Sequence, residues 1–228
     1  MKTTLDRLED KTDYWSISPV TMNIHPVVDG VYLIKWYKEL FSPRTIDGHA
    51  EHRNQVLTTN EPYASDSPSS FAVFKTLFDN KDNPKYKDLI EQFRKHIQSQ
   101  LRFFWNLKPL SKITNNPVGF ADDVIHNYKQ PDEYIVQAKI VGKDRRITSM
   151  LNDPAYKAVT GLDGIELEQL AQWINQTPIY ISRINKKPEE SIESAIVFGA
   201  KSDGFYLFCG RMIEGYGPAF GIRAQKIS

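Results

Sequence analysis

Apolar positions recur at helical spacing over one long stretch of the chain, at Tyr86, Ile90, Phe93, Ile97, Leu101 and Phe104. Asn83 is a good N-cap and Pro84 suits the first helical position, so the pattern predicts an amphipathic helix over about 84–105 that stops before Pro109. Glu91 and Lys95 fall four apart on its polar side. A short helix pair is predicted over about 153–175. Asp153-Pro154 opens the first helix and Gly161 closes it. Asp163 and Glu166 form a capping box for the second, whose buried face is Leu167, Leu170, Ala171 and Ile174.

The other apolar runs read as strands. VYLIKW at 31–36 follows the turn-forming Asp29-Gly30, and EYIVQAKIV at 133–141 puts Gln137 and Lys139 on one face by the period-two rule. Four more runs fall at 178–184, 194–200, 204–211 and 219–225, with a hairpin turn at Ser202–Gly204, so the last three are expected to form an antiparallel meander. The segment 42–70, with Pro43, Pro62, Pro68 and SDSPSS, reads as a long polar loop or a partly ordered segment. Without regular βαβ alternation, residues 1–228 read as a single α+β domain. It is expected to have one central, mainly antiparallel sheet, one long helix and the short helix pair.

Composition narrows the class. With 40% hydrophobic and 25% charged residues in 228, the chain can bury a core, and one cysteine cannot build a disulfide scaffold. No run approaches the ~18 apolar residues that span a bilayer, and the N-terminal MKTTLDRLEDKTD is charged where a signal peptide needs an apolar stretch. A cytoplasmic protein without a membrane partner is expected. Lys plus Arg number 29 against 28 Asp plus Glu, so any attraction for nucleic acid must be local.

The sharpest chemical pattern is Asp122-Asp123, then Gln137 and Lys139 on one strand face. It resembles the metal-dependent nuclease core of many restriction enzymes, in which an acid and a second oxygen ligand hold Mg²⁺ and a lysine assists attack on the phosphodiester. The resemblance implies Asp123, Gln137 and Lys139 as catalytic residues and Asp122 and Asp123 as ligands of Mg²⁺, a hard cation that prefers oxygen, and Glu133 offers an extra ligand if the strand begins early enough to put it on the Gln137 face. Gln137 departs from the family, which has a carboxylate there. A basic patch of Lys139, Lys143, Arg145 and Arg146 would hold the nucleic acid. The alternative is a non-catalytic binding or assembly protein, which meets a protein partner or a second copy through the 42–70 segment and the aromatic C-terminal sheet.

Four further features carry weaker chemistry. Asp47, His49, Glu51 and His52 cluster in IDGHAEHRN, but the two His are three apart and not the four of the zinc helix, so they read as solvated surface; His126 is a distant third ligand. VTGLDGIELEQL at 159–170 is similar to the helix-hairpin-helix phosphate contact, although Asp163 would repel the phosphate. GFYLF at 204–208 followed by Arg211 has the alternating aromatics of an RNA-stacking strand, or of a central strand covered on both sides. Cys209 lies in the same apolar run and reads as a buried, inert thiol.

Overall fold

The computed structural model describes residues 4–22, 29–104, 106–117, 121–140, 145–146, 151–182, 188–210 and 213–228. The chain opens with β1 (Arg7–Asp10), β2 (Tyr14–Met22), β3 (Gly30–Tyr37) and β4 (Phe41–Arg44), followed by helix α1 (Ile46–Val56) and β5 (Tyr63–Ala64). Helices α2 (Ser67–Asp79) and α3 (Lys87–Phe103) precede β6 (Ser111–Asn115), β7 (Asp122–His126), β8 (Tyr134–Ala138) and β9 (Arg145–Arg146). Helices α4 (Pro154–Thr160) and α5 (Gly164–Asn175) lead into β10 (Ile179–Ser182), β11 (Ile192–Ala200), β12 (Phe205–Gly210), β13 (Gly217–Ala219) and β14 (Gly221–Lys226).

The class is α+β with more strand than helix, but the single central sheet is corrected to two. One has the order β1-β2-β3-β14-β5 and the other β8-β7-β6-β11-β12-β10-β9; β4 and β13 form a small ribbon. The expected C-terminal meander holds only for β11 and β12. β14 leaves to pair with β3 and β5, and β10 joins β12 in parallel.

The segment 42–70 is corrected from loop to structure, since it contains β4, α1, β5 and the first turn of α2. Thr45 caps α1 by accepting from Gly48 N, and Asp66 caps α2 by accepting from Ser69 N, with Pro68 in its first turn. Helix α2 is buried on nearly all sides because it lies between the sheets. Phe74 meets Trp36 of the first sheet, and Phe71 meets Phe198 and Phe205 of the second. Helix α3 is shorter than the predicted 84–105, and it is one of five helices among the described residues. Ile90, Phe93, Ile97 and Leu101 are its buried stripe, while Phe104, just past its end, is partly exposed.

The seven-stranded sheet is curled. Its edge strands β8 and β9 are six inter-strand steps apart, about 29 Å across a flat sheet. The seven steps of chain from Ala138 to Arg145 reach at most about 25 Å. The edges must therefore bend toward each other. The concave side carries Ile113, Val124, Ile196, Phe205, Leu207 and Ile181, all buried with helices α2 to α5 in one apolar cluster. No helix among the described residues is long and apolar enough to cross a membrane.

Candidate functional site

The acidic pair sits in β7, where period two sends its members to opposite faces. Asp122 points inward with no exposure, its Oδ1 accepting from Asn116 N at 3.1 Å and its Oδ2 from Ile140 N at 2.7 Å. It holds backbone together, each of its oxygens accepting from one buried or partly buried N–H. Asp123 points outward, and its Oδ1 accepts from Gln137 Nε2 at 3.1 Å, so these two candidates do meet. Lys139 follows β8 and is exposed, as is Gln137. Glu133 lies four residues before Gln137, roughly 13 Å along the strand, and accepts from Lys129 N; it cannot share a cation with Asp123. Of the expected ligands Asp122, Asp123 and Glu133, the structure thus brings Asp123 beside Gln137 and sets Asp122 and Glu133 apart from that contact. Among the described residues no group of three or more His, Cys, Asp or Glu forms a metal site.

The basic patch divides. Lys139 borders the β8 edge, Arg145 and Arg146 form the β9 edge, and Lys143 lies outside the described residues. β9 joins the sheet beside β10, with Arg146 facing Tyr180 and Arg145 facing Ile181. β10 in turn places Tyr180 opposite Tyr206 of β12. The ladder thus sets an arginine position, two tyrosines and, two residues along, Phe208 on the convex face of one sheet.

That face is built for aromatic rings. Tyr180 and Tyr206 stack with centroids 5.3 Å apart and planes 15° from parallel, and Lys201 Nζ lies 5.7 Å from the Tyr206 centroid. Phe208 is 38% exposed although its strand neighbours Leu207 and Cys209 are buried, so β12 is covered on one side only. Glycines at its ends clear space. A Cβ at Gly204 would stand 2.7 Å from the Tyr180 ring, and one at Gly210 only 2.1 Å from that of Phe208. Tyr206 donates to Asp203 Oδ2 at 2.8 Å, and burial with this bond pushes its hydroxyl up to about 12, so it stays a donor.

The histidine cluster is not solvated surface. His49 on α1 is 1% exposed, with Nε2 2.9 Å from Gly217 O of β13, and His52 packs edge-on against Phe41. Asp47 turns away to Lys129 at 3.0 Å. The hairpin between α4 and α5 forms as predicted, with Gly161 left-handed at φ 79° and the Asp163–Glu166 capping box closed. Because the Asp163 carboxylate occupies the α5 N-terminus, a phosphate has no place there.

Sequence reasoning missed a buried polar network at the α2 N-terminus. His126 Nε2 lies 2.8 Å from Ala158 O, so it carries the proton, and Nδ1 accepts from Ser111 Oγ at 2.7 Å. Ser111 Oγ accepts from Ser67 N, and Ser65 bonds Ser70. Arg53, 4% exposed, pairs with both oxygens of Asp132, donates to Asn127 and lies over the Tyr63 ring. Ser111 and His126 have the hydrogen bond of a serine–imidazole nucleophile, but neither has any exposed surface. Their geometry ties α2, β6, β7 and α4 together. The Asp66-Ser67-Pro68 start signal was the only trace in the sequence.

Burial lowers His49 to about 4 and lowers His126 as well, keeping both neutral in the fold. As pH falls below about 6.5 the unfolded chain takes up protons that the native one refuses, so stability falls with pH, down to about 4 for His49. The His49 contribution approaches about 3 kcal/mol. Urea midpoints measured from pH 7 to 4 should fall, and His49→Gln should flatten part of the slope; an identical slope in the variant would contradict this.

Compared with known proteins, the chain matches no family, no curated protein and no solved structure.

Proposed function

We propose that this chain is a non-catalytic nucleic-acid-binding protein that stacks the bases of a single strand on the convex β9–β10–β12 face. The observation that carries the reading is the ladder Arg146–Tyr180–Tyr206 beside exposed Phe208. Aromatic faces accept any base, and a cationic edge serves the phosphates without needing a basic protein overall. A net charge of +1 fits such local binding. The test is fluorescence anisotropy with a labelled single-stranded oligonucleotide at low and moderate salt. Tyr180→Ala/Tyr206→Ala should weaken binding about tenfold or more, because each base–aromatic stack contributes roughly 1–3 kcal/mol. Gly204→Ala, which crowds the Tyr180 ring, should weaken it less. Binding unaffected by the double variant overturns the reading.

A second reading, Mg²⁺-dependent phosphodiester cleavage, keeps one observation in its favour, the contact of Asp123 with Gln137 on an exposed face. Its donor set is poor, since Asp122 is spent on backbone and Glu133 is remote. Incubating the same oligonucleotide with Mg²⁺ or Mn²⁺ separates the two. Cleavage that Asp123→Ala abolishes would favour the enzyme, and an intact strand favours the binding protein. Asp123→Ala and Lys139→Ala should each change stability by about 0.5 kcal/mol or less.

A further inference from the structure

The outer face of the five-stranded sheet holds an arrangement that the stacking face does not involve. Lys35 of β3 and Arg223 of β14 are direct cross-strand partners, on the side opposite the core residues Ile34, Trp36 and Ile222. Like charges placed opposite each other destabilise a sheet. Among the described residues neither forms an ion pair with a carboxylate. Arg223 is held in place instead, its guanidinium donating to Leu57 O at 3.1 Å and Val56 O at 3.4 Å at the end of α1, above the Tyr63 ring. Lys35 Nζ lies 5.2 Å from the Tyr14 centroid.

Beside this pair is a cavity of about 160 Å³, lined by Leu33, Lys35, Asn60, Arg223, Ala224 and Gln225. The lining supplies two cations and two side-chain amides and no carboxylate. At about 30 Å³ per water it has room for a small tetrahedral anion. We infer that this pocket binds the dianionic head of a phosphomonoester. A phosphomonoester carries about −1.5 to −2 charges at pH 7 and three acceptor oxygens, which match two cations and two amide donors better than a single-charged carboxylate would. A bound anion would offset the like charges of these cross-strand neighbours.

The experiment is an NMR titration of the whole chain with inorganic phosphate, then with glycerol 3-phosphate, against chloride at equal ionic strength. Saturable shifts of the Lys35, Asn60, Arg223 and Gln225 backbone amides are expected with both phosphates and not with chloride. Lys35→Glu replaces the repulsion by an ion pair. It should raise the melting temperature of the anion-free protein while weakening phosphate binding more than tenfold. That pairing keeps the test clear of misfolding. Shifts that stay linear, that chloride reproduces, or that persist unchanged in Lys35→Glu overturn the inference. Shifts with inorganic phosphate but not with glycerol 3-phosphate overturn the monoester assignment. Oligonucleotide binding at the tyrosine face is unaffected by any of these outcomes, because the residues are different.

Discussion

Phe93→Ala is expected to cost about 3 to 5 kcal/mol, a large share of the roughly 5–15 kcal/mol that holds a domain together. Phe93 has no exposed surface and sits at the centre of the α3 stripe, one turn from Ile90 and Ile97. Its ring meets Trp15 edge-on at 5.6 Å and Trp36 at 5.8 Å, so it joins the helix to two strands of the first sheet. Trp36 in turn touches Phe74 and Phe220, so neighbours fixed by several contacts cannot collapse into the space that alanine leaves. Gln92, exposed on the same helix, should tolerate alanine within about 0.5 kcal/mol. Urea denaturation of the two variants checks this; equal midpoints would mean that the stripe does not face the core.

Asp122→Ala is expected to cost about 3 to 5 kcal/mol as well, for a different reason. Its carboxylate accepts two backbone N–H groups, those of Asn116 and Ile140, and bonds to a charged acceptor contribute roughly 1.5–3 kcal/mol each. Alanine would leave both donors without this partner, that of Ile140 in a buried place and that of Asn116 in a partly buried one. An asparagine at this position would keep one acceptor oxygen, so Asp122→Asn should lose less. Adjacent Asp123 should be near neutral, because its only described partner is an exposed glutamine. The same denaturation measurement decides it. Comparable midpoints for the Asp122 and Asp123 alanine variants would restore the acidic pair to one shared role.

The difference between these two aspartates shows what was legible in the sequence. Features fixed within a few residues came through: the α5 capping box, the Gly161 stop, the β11–β12 turn and the stripe of α3. Features fixed by distant partners did not. The serines of 65–70 look like a loop because their polar groups are satisfied only in the fold, by one another and by Ser111 of β6. β2 carries Pro19, and its pairing with β3 shifts register between Ile17 and Val20, which breaks the alternation a strand is recognised by. β14 follows β13 in sequence yet pairs with β3, nearly two hundred residues away, which no local pattern encodes. Asp122 and Asp123 read as one acidic pair until β7 assigns them to opposite faces. The aromatic alternation of β12 was visible, but only the parallel entry of β10 brings Tyr180 and the Arg145–Arg146 edge beside it.

The most direct measurement of the central claim is ultraviolet crosslinking of a single strand carrying 5-iodouracil, followed by mass spectrometry of the attached peptides. On irradiation the C5–I bond of a stacked iodouracil breaks and C5 bonds to the aromatic ring it touches, with HI lost. The expected result is crosslinks at Tyr180, Tyr206 or Phe208, lost when excess unlabelled strand competes and when salt is raised. Crosslinks confined to Tyr14 and Tyr37 on the other sheet, or to the peptide holding Ile135 and Gln137, would contradict it. So would the absence of any crosslink under conditions where the strand is bound.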